Sequence, residues 1–204
     1  MKIISAQDYR CMPWKNGGGV TAEIAISPAG ATLGDFDWRI SSARVSTAGE
    51  FSCFPGIDRS LVVLEGGDLT LHLPDNQSRQ LTPASAPYAF DGAMPISATL
   101  SSAAITDLNV MTRRDRCRHR LQRIAWSDSI RIAAAAAGTT RLVFHAAGEA
   151  LHCHCRSTGQ VIELPAGATL LLDAVDAIAL RPASAAADAC AMLAVLYLIE
   201  ITTI

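Results

Sequence analysis

Apolar and polar side chains alternate with a period of two along most of this chain. Val20, Ala22, Ile24 and Ile26 are each followed by a different, mostly polar neighbour, which is the pattern of a half-buried β-strand. Short segments of similar character occur at 107–111, 141–145, 151–155, 161–164, 169–173 and 189–201, and prolines separate many of them. Many short strands between regular turn signals predict an all-β fold, a sandwich or a barrel.

Two segments test this interpretation. Residues 61–65 and 69–73 are rich in Leu and Val and flank Gly66 and Gly67. Because paired glycines supply the positive φ of a tight connection, they predict a β-hairpin.

Residues 133–137 are five consecutive alanines. Alanine is the best helix former, but the run is short, so a strand and a single helical turn remain equally open.

The composition excludes several classes of protein. Half of the 204 residues are apolar, only 18% are charged, and the formal charge is −2. A disordered chain needs low hydrophobicity and high net charge. A nucleic-acid-binding protein needs an excess of Lys and Arg. The arginine-rich run at 113–120 has no interleaved aromatic residues, so it predicts a solvated strand edge that discourages aggregation rather than a nucleic-acid site.

The two ends of the chain and the cysteines predict the compartment. The first eight residues turn polar before an apolar signal region forms, and the longest apolar run, 189–199, is 11 residues long. A membrane helix needs about 20, so we expect a buried strand there and no membrane partner. Six cysteines in a chain of this size without a signal are expected to be reduced thiols in the cytoplasm (Cys11, Cys53, Cys117, Cys153, Cys155 and Cys190).

A weak internal repeat relates the two halves of the sequence. Gly67 and Gly148 are 81 positions apart, Pro83 and Pro165 are 82 apart, and an apolar triplet at 61–63 recurs at 142–144. Two copies of one β-sheet unit would account for the length of the chain. We therefore expect related halves over about 1–115 and 116–204.

Four stretches contain residues suited to a binding site. The first, MPWKNGGGVT at 12–21, has three glycines, which predict with equal weight a turn or a loop that lines a ligand. The order of Lys and Gly excludes a P-loop. The second, FDWRIS at 36–41, places Asp37, Arg39 and Ser41 on one strand face. Arg39 therefore pairs with Asp37 on a solvated face or points inward and needs an anion.

The third and fourth stretches are FSCFPGIDR at 51–59 and DLNVM at 107–111. In the fourth, Asp107, Asn109 and Met111 share a face. Together, and in this order, the four stretches resemble the HutD/Ves family of cupin-like proteins, with the Ves branch the nearer. The resemblance covers the first 115 residues and implies a bicupin, with two β-barrel-like halves in one chain. It also implies a link to bacterial histidine utilisation, with a pathway metabolite such as formylglutamate as ligand, or to a stress response.

The histidines raise the question of a metal. His152 and His154 alternate with Cys153 and Cys155, so a strand would place the two imidazoles on one face and the thiols on the other. His145 across a hairpin would complete a set of three, but Glu163 lies nine residues beyond His154, outside the spacing of metal cupins. We therefore expect no metal and no cofactor. A metal-dependent cupin isomerase or oxygenase that uses these histidines is the alternative.

These observations lead to one functional prediction. The chain is expected to be a non-catalytic protein that binds a small anionic metabolite, such as formylglutamate or another carboxylate, in its first half. Lys15, Arg39 and Arg59 would provide cationic donors, and Asn16, Ser41 and Asn109 would orient the ligand, with Trp14 as a wall of the site. A homodimer, common among cupins, is a further expected partnership.

Overall fold

The computed structural model describes residues 1–101, 104–124, 129–183 and 194–204. The described chain contains 19 β-strands, two short 3-10 turns (Ala6–Asp8 and Pro74–Asn76) and no α-helix. The predicted all-β class is therefore confirmed. Within these residues, no helix is long and apolar enough to cross a membrane. Cys190 and the start of the apolar run, 189–193, lie outside the described residues.

The chain divides into two compact units. We call Tyr9–His119 with Ile204 the N-terminal unit, and Met1–Asp8 with Arg120–Thr203 the C-terminal unit. Strand β12 (Cys117–Ile124) contains the boundary between them in the sequence. That residues 1–204 form one bicupin domain with halves at 1–115 and 116–204 stays a prediction.

The N-terminal unit contains two antiparallel sheets. Its strands are β2 (Arg10–Pro13), β3 (Gly19–Ser27), β4 (Trp38–Val45), β5 (Gly49–Glu50), β6 (Ile57–Gly66), β7 (Leu69–His72), β8 (Ser78–Leu81), β9 (Tyr88–Asp91), β10 (Ser97–Leu100) and β11 (Ile105–Arg113). The larger sheet has the order β2-β3-β4-β11-β6-β9, and the smaller has the order β5-β10-β7-β8. Side chains from both sheets form one core, which includes Leu61, Val63, Leu69, Leu71 and Ile105.

The predicted hairpin at 61–73 is wrong. Its two strands, β6 and β7, belong to different sheets: β6 pairs with β11 and β9, whereas β7 pairs with β10 and β8. Gly66 has φ +92°, and a Cβ there would collide with the carbonyl of Ala104. The glycine therefore makes a corner between sheets, where the backbone passes close to another strand.

The C-terminal unit is also built from two antiparallel sheets. Its strands are β1 (Lys2–Ile4), β13 (Ile130–Ile132), β14 (Thr139–Ala147), β15 (Leu151–Cys155), β16 (Val161–Leu164), β17 (Thr169–Leu172), β18 (Ile178–Pro182) and β19 (Val195–Thr203), and β12 is Cys117–Ile124. One sheet has the order β1-β17-β14-β19-β12 and the other β13-β18-β15-β16. The core between them contains Val143, Leu170 and Leu196 from one sheet, with Cys153 and Leu180 from the other.

The alanine run at 133–137 forms neither a strand nor a helical turn. Residues 133–136 are irregular, and a turn at 137–138 precedes β14. The backbone hydrogen bonds explain this outcome, because Ala135 N–H donates to the Ala174 carbonyl and the Ala133 carbonyl accepts from Arg141. Tertiary partners have overridden the helix propensity of alanine.

Candidate functional site

A cavity of about 630 Å³ lies within the N-terminal unit. Its lining comes from the β2–β3 hairpin, from strands β3, β4, β6, β10 and β11, and from Leu33, residues 47–52 and Phe54. All seven residues that the sequence analysis selected line this one cavity: Trp14, Lys15, Asn16, Arg39, Ser41, Arg59 and Asn109. The structure thus brings the selected residues together, while their role in binding stays a prediction.

Strand register explains why these residues meet. Strand β11 lies between β4 and β6, and residues with cavity-facing side chains occupy alternate positions on it. The strand pairing gives three rows across β4, β11 and β6: Arg39–Met111–Arg59, then Ser41–Asn109–Leu61, then Ala43–Asp107–Val63. Leu61 and Val63 belong to the core, and the other seven residues line the cavity. The cavity floor is therefore cationic in the first row, polar in the second and acidic in the third.

Arg39 is buried and already has an anionic partner. Its Nε donates to Glu23 Oε2 at 2.7 Å, and Nη1 lies 3.5 Å from Ser41 Oγ. Of the two alternatives for Arg39, the inward one is correct, and β3 supplies the anion. Pairing with Asp37 is wrong, since β4 begins after that residue and Asp37 accepts from Arg116 at 2.6 Å.

Arg59 is buried without a carboxylate partner in the described structure. Its guanidinium carbon lies 4.9 to 5.6 Å from the ring centroids of Phe51, Phe54 and Phe90, a cation–π arrangement. Nη1 donates to the Ser52 carbonyl at 3.2 Å, but the buried Nε has no hydrogen-bond partner. Burial lowers the pKa of Arg59 to about 10, and the guanidinium remains charged at neutral pH.

Asp107 is the acidic group that the sequence analysis left out of the site. It is 4% exposed, and its Oδ1 accepts the Ala43 N–H at 3.1 Å. Burial raises the pKa of Asp107 to about 7, against the opposing effects of the Ala43 hydrogen bond and Arg59. Two positions along the strand, Asn109 presents a buried Oδ1 that has no partner. The shared face of Asp107 and Asn109 was the sequence signal that could have identified this residue.

The glycine run forms the turn of the β2–β3 hairpin. Gly17 has φ +71°, and Asn16 Oδ1 accepts the Gly18 N–H at 3.0 Å. A Cβ at Gly19 would lie 2.6 Å from the Arg44 carbonyl, so β4 requires glycine there. The two interpretations of this stretch are compatible, since the turn also carries Trp14 and two polar residues into the cavity lining. The Trp14 indole is fixed by its donation to Thr21 Oγ1 at 2.8 Å.

The histidines of the second half do not converge. His152 and His154 are partly exposed on β15 and the neighbouring thiols are buried, as predicted. Glu163 lies opposite His152 on β16, with 4.0 Å between Nε2 and Oε2. His145 is fully buried on β14, in the other sheet of the unit, where Nδ1 bonds to the Leu164 carbonyl. No cluster of three or more His, Cys, Asp or Glu side chains suited to a metal occurs in the described part of the chain.

Comparison with solved structures defines the class of protein. A mutant of Bacillus subtilis oxalate decarboxylase aligns with a TM-score of 0.62 over 99% of this chain and 77% of its own, at 9% identity. At that identity the likeness concerns the fold alone, and the fold is cupin-like. A conserved protein of unknown function from Pseudomonas aeruginosa PAO1 has a TM-score of 0.84 at 31% identity, with 98% of both chains covered.

The family follows from sequence comparison. The family model HutD matches residues 6–191, and the chain therefore belongs to the HutD family. HutD from Pseudomonas fluorescens SBW25 aligns at 30% identity with a TM-score of 0.77, over 100% of this chain and 98% of that one.

Two further relatives are known from sequence. An uncharacterized 21.2 kDa protein in the hutC 3' region of Pseudomonas putida is 40% identical over 142 residues, which are 70% of this chain and 67% of that protein. Protein Ves of Citrobacter koseri is 41% identical over 119 residues, 56% of this chain, and the match spans 61% of Ves. The predicted HutD/Ves resemblance is thus confirmed.

Proposed function

We propose that this protein binds a small carboxylate in the N-terminal cavity without transforming it, and acts as an auxiliary or regulatory protein in histidine utilisation or a stress response. One observation carries the proposal. Arg59 is a buried cation in the cavity wall whose Nε has no hydrogen-bond partner. A carboxylate is the ligand that fits a guanidinium best, because it accepts two parallel hydrogen bonds.

The two arginines have different parts in this proposal. Arg39 is neutralised by Glu23, so it holds the cavity shape and provides a donor of moderate strength. Arg59 is compensated by aromatic rings and one carbonyl, which replace only part of the hydration of a guanidinium. A ligand carboxylate would therefore gain more binding free energy at Arg59 than at Arg39. Lys15 and Asn16, which line the same cavity, would contact the remainder of the ligand.

Membership of the HutD family supports the biological context. The relatives carry names that place one in the hutC 3' region of Pseudomonas putida and call another HutD. A formylglutamate-like compound is the ligand that the resemblance to this family implies. A role in a stress response is what the resemblance to the Ves branch implies, and protein Ves of Citrobacter koseri is among the relatives.

Binding calorimetry on Arg59→Met tests the proposal. Methionine keeps an unbranched apolar stem among the three Phe rings and removes the guanidinium. A charge-assisted hydrogen bond contributes about 1.5–3 kcal/mol, so we expect carboxylate affinity to fall by roughly 10- to 100-fold. The probes are glutarate, formylglutamate and formate. Formate is included because the P. fluorescens HutD structure is described as a formate condition.

Arg79→Met is the matched control. Arg79 is exposed on β8, its guanidinium carbon lies 5.8 Å from the Tyr88 ring centroid, and it does not line the cavity. This variant removes one guanidinium that contacts an aromatic ring outside the cavity, and it is expected to bind like the unmodified protein. Equal affinity of the Arg59→Met variant and the control for every probe would refute the proposal.

A further inference from the structure

The charge of the cavity floor changes along β11, from cationic at one end to acidic at the other. A ligand that has only a carboxylate complements the cationic end alone. The arginines lie in one row, Asn109 in the next and Asp107 in the third. Residues on the same face of a strand are about 7 Å apart per row. A ligand that extends from Arg59 along β11 therefore passes Asn109 and approaches Asp107.

The second and third rows present hydrogen-bond acceptors. Asn109 Oδ1 is buried without a partner, and the Asp107 carboxyl keeps acceptor capacity beyond the single N–H of Ala43 that Oδ1 accepts. Other charged groups near this floor are Arg39, Arg59, Lys15 and Glu50, with Glu23 bound to Arg39. None of these cations forms an ion pair with Asp107 in the described part of the chain. A buried acceptor left without a donor is unfavourable.

On the basis of the proposed function, we propose that Asp107 and Asn109 select carboxylates that also carry a hydrogen-bond donor, such as an amide or amine N–H or a hydroxyl. Arg59 binds the carboxylate, and the donor reaches Asn109 Oδ1 and the Asp107 carboxyl. A second carboxylate that takes the place of the donor at that end of the ligand is disfavoured, because it offers no hydrogen to Asn109 and places a negative charge beside Asp107 in a site of low dielectric. Asp107 is then a specificity-determining residue of the same cavity.

The protonation of Asp107 gives this selectivity a pH dependence. With a pKa of about 7, Asp107 is mostly ionised at about pH 8.5 and then only accepts hydrogen bonds. At about pH 6 it is mostly neutral, and its O–H is able to donate to a second carboxylate. We therefore expect the preference for a donor-bearing ligand to be stronger at the higher pH.

Three probes with the same carbon skeleton measure how much the N–H donor contributes to binding. Glutaramate carries a carboxylate and a primary amide, its N,N-dimethyl derivative lacks the N–H donors, and glutarate replaces the amide by a second carboxylate. At about pH 8.5 we expect glutaramate to bind about tenfold more tightly than either of the others. This comparison uses the unmodified protein, so it does not depend on how a variant folds.

Asp107→Asn tests the residue itself, with Asp75→Asn as the control at an exposed position. In Asp107→Asn, the affinities for glutarate and glutaramate are expected to differ by less than about threefold, whereas the control keeps the original ratio. Equal binding of the three probes by the unmodified protein, or an unchanged ratio in a folded Asp107→Asn variant, would overturn the inference alone. If no carboxylate binds under any condition, the proposed function fails, and this inference with it.

Discussion

Asp107→Asn is expected to stabilise the protein, by an amount that grows as the pH rises from about 4 to 7 and then levels off. Asp107 is fully buried in the wall of the cavity, and its ionised form is held there without an ion pair in the described structure. Asparagine has nearly the same shape, and its side-chain oxygen is able to accept the Ala43 N–H. The substitution therefore removes a buried charge and retains the packing around it.

The magnitude follows from the pKa of Asp107. Burial raises it from an ordinary value of 3.8 to about 7, and one pKa unit corresponds to about 1.4 kcal/mol. Because the folded protein binds this proton more tightly than the unfolded chain, the free energy of unfolding falls as the pH rises from about 4 through 7. The loss reaches about 4 kcal/mol by about pH 8 and is absent from the Asn variant.

Thermal and denaturant unfolding at several pH values test this reasoning. At about pH 4 the variant and the unmodified protein are expected to be nearly equally stable. At about pH 8 the melting temperature of the variant is expected to be higher, on the order of 10 °C for a chain of this length. Asp75→Asn, at an exposed position, is the control and should show no such pH-dependent difference. A stability difference between Asp107→Asn and the unmodified protein that stays constant from about pH 4 to 8 would refute the argument.

Two other substitutions test the walls of the cavity. Gly19→Ala is expected to lower the free energy of unfolding by about 1–3 kcal/mol, because its Cβ would lie 2.6 Å from the Arg44 carbonyl; Gly49→Ala, which meets nothing within 4 Å, is the control in the same denaturant titration. Glu23→Gln removes the anion that Arg39 contacts at 2.7 Å, so we expect a loss of about 3 kcal/mol in stability and, by calorimetry, tighter binding of a carboxylate. Unchanged melting temperatures would contradict the clash at Gly19 and the importance of the Glu23–Arg39 pair, respectively.

The period-two pattern predicted the strands but not which of their faces points inward. In β3, Ile24 is buried as expected, yet Val20 is 39% exposed. The polar face of the same strand turns toward the cavity, where Glu23 binds Arg39 and Thr21 accepts from Trp14. Patterns of hydrophobicity assume that the interior is apolar, and a β-sheet unit whose cavity is lined in part by charged and polar side chains breaks that assumption at the face toward the cavity.

The seven selected residues each lie in a short motif with an unusual set of side chains, and those motifs are the reason for their selection. Four of them, Arg39, Ser41, Arg59 and Asn109, come together through the pairing of β11 with β4 and β6, which joins residues about 50 to 70 positions apart and leaves no local signal. The same pairing explains what was missed. Glu23 resembled an ordinary strand residue, and Phe90 reaches Arg59 only through the pairing of β9 with β6.

The charges of the cavity also explain why a ligand should bridge its floor. Arg59 and Asp107 are opposite charges in one cavity, but their strand positions keep them two rows apart, and they do not form an ion pair in the described structure. Each group therefore lacks a favourable interaction within the described structure. Arg59 has no hydrogen-bond acceptor at Nε, and burial raises the pKa of the Asp107 carboxyl. Moving the two groups into contact would satisfy both and remove the reason for a ligand. Because the sheet register holds them apart, a molecule with an anionic end and a donor end would stabilise both groups at once, which neither a simple anion nor a simple cation would do.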